Sequence, residues 1–151
     1  RRKKRDEGLE FIAIDYLQLM KSRTRQAENS REREIAEISA GIKGLAKELE
    51  LPILILAQLN RGPEGRTGKS LGVPRMSDLR ESGAIEQDAD MVGLLYRTAY
   101  YAETEEDKEQ EAGRAELVLA KNRNGETGHI PLTFIAELMR FETGPPARED
   151  E

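Results

Sequence analysis

The chain has 151 residues, with 24 lysines and arginines against 29 aspartates and glutamates and no cysteine or tryptophan. That length can hold one domain with a real core. The missing cysteines exclude disulfides and thiolate metal sites and fit a reducing compartment such as the cytoplasm, and no signal peptide or membrane-spanning apolar stretch is present. The formal charge of -5 is uneven, because residues 103–111 hold six acids and one lysine; the acidic balance is therefore no argument against a nucleic-acid partner.

The opening Arg1–Arg5 carries no initiator methionine and reads as the end of a severed helix, so a fragment is expected. Leu9–Asp15 is the first expected strand, and its Phe11–Ile14 is apolar on consecutive positions, the pattern of a strand covered on both faces. Residues 21–30 are polar and read as a loop, with Asn29 or Ser30 able to cap a helix. Ile35, Ile38, Ile42, Leu45 and Leu49 recur at three and four, one apolar stripe, and Gly41 and Gly44 within it would allow close packing on a sheet. Pro52 ends the turn that follows. Ile53–Ala57 is a second apolar strand, which completes a βαβ unit with a right-handed crossover expected.

A long loop, Leu59–Met76, is rich in Gly, Pro and Arg, a length usually functional or disordered. Ser77 can cap a short helix over Asp78–Gln87. Asp90–Tyr96 is a third strand, 103–113 a solvated acidic insertion and Ala115–Ala120 a fourth strand. Asn124-Gly125 signals a turn. Ile130–Ala136 and Met139–Phe141 complete an antiparallel edge, and the tail 144–151 has the composition of disorder. The chain shows no internal repeat.

Candidate sites lie where these elements end. Asp15 closes a buried strand, at the rim where α/β sheets bind ligands. That is the position of a Walker B aspartate holding Mg²⁺, and equally of an aspartate that merely starts a turn. Gln58 ends the next strand, at the same expected edge, where an amide can orient water or sense a γ-phosphate; capping the strand is its plain alternative. Gly68-Lys69-Ser70 matches the second half of a P-loop, but the first glycine is replaced by Pro63 and Leu71–Pro74 cannot begin the phosphate-binding helix. It is rejected as a Walker A, and its basic loop suits either a polyanion or solvent. Arg80 and the backbone near Gly83 could hold a phosphate, or lie on a charged, solvent-facing helix. Lys121 and Arg123, two residues apart near a turn, could clamp a phosphate or flank an ordinary hairpin. His129 is the single histidine, which excludes a His-cluster metal site.

Four segments together resemble one family. Ile-Asp-Tyr-Leu-Gln-Leu-Met at 14–20, Gln-Leu-Asn-Arg-Gly at 58–62, the run Ser77–Asp90 and Lys-Asn-Arg-Asn-Gly at 121–125 are similar, in order, to the bacterial replicative DNA helicase of the DnaB type. The resemblance covers residues 1–143 and the later half of a RecA-like ATPase domain. It implies an α/β fold with a mostly parallel sheet, flanked by helices and carrying an antiparallel edge. It implies ATP and Mg²⁺ as cofactors, with Asp15 on Mg²⁺ through water and Gln58 as the γ-phosphate sensor. Arg80, Glu81 and Gly83 match a loop that touches single-stranded DNA. Lys121, Asn122 and Arg123 match the segment that reaches a neighbouring subunit's ATP, with Arg123 as the arginine finger. The partners implied are a homohexamer, single-stranded DNA, primase and a loader, and no membrane. The family's P-loop and catalytic glutamate are not found in these 151 residues, so the isolated piece is expected to be inactive. A RecA-like recombinase, or another assembly in which ATP controls DNA binding, is the competing expectation.

Overall fold

The computed structural model describes residues 1–22, 24, 30–60, 66, 72–79, 83–102 and 104–144. The chain divides into two units, 1–59 with 79–89 and 60–78 with 90–151.

In the first unit, α1 (Arg2–Glu7) ends at Gly8 in the left-handed region. Two short parallel strands follow, β1 (Ile12–Ile14) and β2 (Ile53–Ile55), paired Ile12 with Ile53 and Ile14 with Ile55. Between them runs α2 (Arg31–Leu49), whose buried Ile35, Ile38, Ile42 and Leu49 follow the expected stripe. Ser30 takes the capping position without a side-chain bond, and Glu32 and Glu34 place acids in the first turn, where the helix dipole favours them. Leu17, Ile35, Ile38 and Ile42 form the core, joined by Ile14, Ile53, Ile55 and Ile85. Leu17 and Ile35 are fully enclosed, and each such burial contributes about 1.5–3 kcal/mol.

Two expectations are corrected here. The apolar runs predicted burial on both strand faces, yet the opposite face is open, with Phe11 50%, Leu54 51% and Leu56 49% exposed. A continuous apolar run gives no sign of which face α2 will take, and α2 covers only one. Gly41 and Gly44 are both exposed, and a Cβ at either would meet nothing, so neither serves close packing in this chain.

A third correction concerns the helix expected from Asp78: Met76–Asp78 form a 3-10 turn, and among the described residues the α-helix is α3 (Gly83–Asp88). Asp78 is engaged elsewhere. It is buried and bonds the Arg66 guanidinium at 2.6 Å and the Arg75 N–H at 2.7 Å, while the Asn60 N–H donates to its carbonyl. Asn60, Arg66 and Arg75 are thereby all tied to Asp78 within the second unit. In the first unit α3 leans on α2, and the Ser39 hydroxyl donates to Asp88 at 2.7 Å.

The second unit is antiparallel throughout: β3 (Met91–Arg97), β4 (Arg114–Asn122), β5 (Gly128–Ile135) and β6 (Arg140–Thr143), in that spatial order. The expected mostly parallel sheet is therefore reversed in proportion among the described residues, two parallel strands against four antiparallel ones. Parallel neighbours need a crossover, usually a long helix. The 98–113 connection provides only a turn at Thr98–Tyr101 and the short α4 (Glu105–Gln110), so the chain folds straight back. The acidic segment holds that helix. Its Thr104 side chain accepts from the Asp107 N–H, and three acids fill its first turn, an arrangement that suits an N-terminus. Gly72 (φ +71°) lies so close to Tyr101 that a Cβ would fall 2.3 Å from the ring, so no other residue fits there. The tail 145–151 lies outside the described residues. No helix among those described is long and apolar enough to cross a membrane.

Candidate functional site

The strand ends of the first unit carry two of the candidates. Asp15 follows β1 directly and is exposed; Gln58 follows β2 by three residues and is exposed too. The ladder continues past both strands, with the Leu56 N–H bonded to the Ile14 carbonyl and the Leu17 N–H to the Leu56 carbonyl, each 2.9 Å. Parallel register thus brings Asp15 and Gln58 to the same edge of the sheet. The Asp15-Tyr16 peptide is cis.

Gln18 fixes this edge, a part that its place in the sequence does not announce. Its amide N–H donates to the Gln58 carbonyl at 3.1 Å, and its side-chain oxygen accepts from the Gln58 N–H at 3.2 Å. One side chain therefore occupies the main chain of Gln58 the way a neighbouring strand would. The only sequence signal was its place three residues after Asp15, inside the quoted motif. Arg31, at the start of α2, in turn donates to the Gln18 carbonyl at 2.6 Å and the Met20 carbonyl at 3.2 Å, and pairs with Glu34. That guanidinium, and then the Ser22 N–H, hold the Glu34 carboxyl below the usual range.

Among the described residues no three His, Asp or Glu side chains converge to cage a metal. Asp15 offers one carboxylate. That fits Mg²⁺, which is commonly held by one or two carboxylates with water and substrate phosphates rather than by an all-protein cage. Gly83 opens α3, exposed and with open space around its Cα, whereas Arg80 and Glu81 lie outside the described residues.

In the second unit the cations close β4. Lys121 stands opposite Val92 and Asn122 opposite Met91, so the strand runs two residues beyond its expected end. The pairing passes over Ala120, because the register shifts between Val92 and Gly93; such a bulge re-aims the side chains that follow. Asn122 braces the turn, donating to the Glu126 carbonyl and accepting from the Asn124 N–H. Arg123 is held twice by Asp90, through its N–H on the Asp90 carbonyl at 2.8 Å and its guanidinium on the carboxylate at 3.1 Å. Thus Asp15 and Gln58 share a sheet edge in one unit, while Lys121, Asn122 and Arg123 follow one another at the end of β4 in the other.

Two further groupings went unread in the sequence. Tyr96 is pushed up to about 12 by burial first and then by its hydrogen bond to Glu116, and Glu116 also meets His129 Nδ1 at 2.9 Å. On the sheet, Leu95, Tyr96, Arg97, Tyr100, Tyr101 and Phe141 line a hollow of about 190 Å³. Beside it the Arg97 guanidinium lies 4.0 Å over the Phe134 ring, and flat rings with a guanidinium are suited to stacking a planar group. The aromatics are spread over residues 96–141 without a period, which hid them.

The DnaB-like helicase C terminal domain family matches residues 1–143. The chain is 48% identical over 141 residues to the replicative DNA helicase DnaB of Geobacillus stearothermophilus and 46% identical to the replicative DNA helicase DnaC of Bacillus subtilis; each match covers 93% of this chain. It spans 29% of the length of those curated relatives. A solved ATPase domain superposes with a TM-score of 0.80 at 38% identity, covering 95% of this chain and 48% of that one. A DnaB-like replicative helicase, solved with its interactions with primase, gives a TM-score of 0.75 at 36% identity, covering 93% of this chain and 32% of that one.

Proposed function

The chain belongs to the DnaB-like helicase C-terminal domain family, and from that premise we propose that it is the later part of the RecA-like motor of a replicative DNA helicase. The parent is a cytoplasmic homohexamer that couples ATP hydrolysis to movement along single-stranded DNA and to unwinding, with primase and a loader as partners. The observation that carries the reading is the shared sheet edge of Asp15 and Gln58, with the main chain of Gln58 locked by Gln18.

Each residue then has a task. Asp15, at the end of β1, would hold Mg²⁺ through water, and the ion would supply charge neutralisation at phosphate oxygens. Gln58 reaches toward the γ-phosphate from a fixed main chain, so only its side chain needs to respond to nucleotide. Arg80, Glu81 and Gly83 touch the DNA backbone. Lys121, Asn122 and Arg123 project from the end of β4 toward the ATP of the adjacent subunit, where Arg123 stabilises charge developing on the transferred phosphoryl group. Contacts to phosphate rather than to base edges make movement independent of sequence and sensitive to salt.

The test is subunit mixing in the full-length protein. Arg123→Ala abolishes hydrolysis, a loss of about 10³-fold or more for an arginine finger, and leaves nucleotide binding largely intact, weakened by a few-fold at most. Mixed with Asp15→Ala subunits it recovers turnover at hybrid interfaces. Absence of rescue at every ratio rules out action across the interface.

A further inference from the structure

We propose that Asp90 is a positioning residue for Arg123: its carboxylate latches the guanidinium in a rest position, and the latch is released from the DNA side. The inference rests on the reading of Arg123 given above and adds a regulator to it.

Asp90 and Arg123 are joined by two bonds of different character. The Arg123 N–H on the Asp90 carbonyl, 2.8 Å, belongs to the main chain and anchors the base of the arginine whatever side chain stands at 90. The guanidinium on the carboxylate, 3.1 Å, is the bond that can be exchanged. Both side chains are about half exposed, 53% and 52%. A pair this open to water is weakly held, and an anion of higher charge, such as a nucleotide triphosphate, competes for the guanidinium effectively. A buried pair would resist that exchange. The bulge at Ala120 and the Asn122-braced turn hold the strand end beside this pair, so Arg123 swings from a fixed pivot.

The connection to DNA runs along the chain. Asp90 stands two residues after Asp88, the last residue of α3, which the Ser39 hydroxyl ties to α2. The first residue of α3 is Gly83, a member of the proposed DNA-contacting segment. A shift of that segment on binding DNA therefore has one short helix to cross before it reaches the latch.

The experiment uses the full-length hexamer with Asp90→Asn, which keeps shape and removes charge, and Asp90→Glu, which keeps charge. Asparagine should raise DNA-free ATP turnover about two- to five-fold, the scale of an exposed ion pair. It should leave DNA-saturated turnover near wild type, so the stimulation ratio shrinks. Binding of a non-hydrolysable ATP analogue without DNA should tighten by the same factor, and glutamate should keep the wild-type ratio. Equal loss of turnover with and without DNA, at unchanged analogue affinity, would mean that Asp90 only braces the strand end and would overturn the latch. The same tightening in an Arg123→Ala background would overturn it too, since Asp90 would then act through another group. If Arg123→Ala itself hydrolyses ATP normally, the reading of Arg123 fails and takes the latch with it. If that variant is inactive while Asp90→Asn moves neither ratio nor affinity, the latch alone fails.

Discussion

Tyr96 shows how a single side chain on the sheet is tuned. Burial, then the hydrogen bond to Glu116, then the charges of Glu116 and Glu111 all disfavour the phenolate. The folded value therefore lies above the unfolded one of about 10. The stabilisation this represents is complete below about 10 and is lost as pH rises through about 12. An alkaline titration followed by tyrosinate absorbance should show a late step, and Tyr96→Phe should remove it. A late step that survives in the variant would place it on another tyrosine. Asp15 and Gln58 were legible in the sequence at this scale, because a polar residue closing an apolar run stands out. Gln18 and Asp90 were not. Their roles arise from partners 40 and 33 residues away, and no local pattern carries such a distance.

At the scale of elements, periodicity located α2 well and failed where two packings share one pattern. Of the expected stripe, Ile35, Ile38, Ile42 and Leu49 are buried and Leu45 is half-buried. The runs at β1 and β2 read as doubly covered and are not, and β3 alternates, with Val92 and Leu94 buried and Met91 and Leu95 exposed. An apolar residue on an open face looks the same in sequence as one beneath a helix. Direction was equally hidden, since strand pairing follows the length of the connection and not the strand's own residues. The glycines of α2 give this scale its prediction. With nothing near a Cβ at Gly44, Gly44→Ala keeps every contact and removes backbone freedom from the unfolded chain, so stability should rise by about 0.5–1 kcal/mol. Chemical denaturation measures it, and a loss of stability would reveal a neighbour on that face.

At the scale of the molecule, family membership and completeness are separate matters. The four motif segments are spread over both units, and the family covers residues 1–143, while the chain spans 29% of the curated relatives' length. Within these 151 residues the nearest approach to a phosphate-binding loop has Pro63 where the first glycine belongs. Residues 1–151 alone should therefore show no ATP turnover above background, and measurable turnover would refute that. The bond from Ser39 to Asp88 has a wider consequence. A helix of six residues does not persist unaided in water, so α3 takes its permanence from α2, to which that hydroxyl fastens it. The two are then expected to open as one cooperative unit, and hydrogen exchange should show the α3 amides protected together with those of the nineteen-residue α2 rather than exchanging like a surface turn.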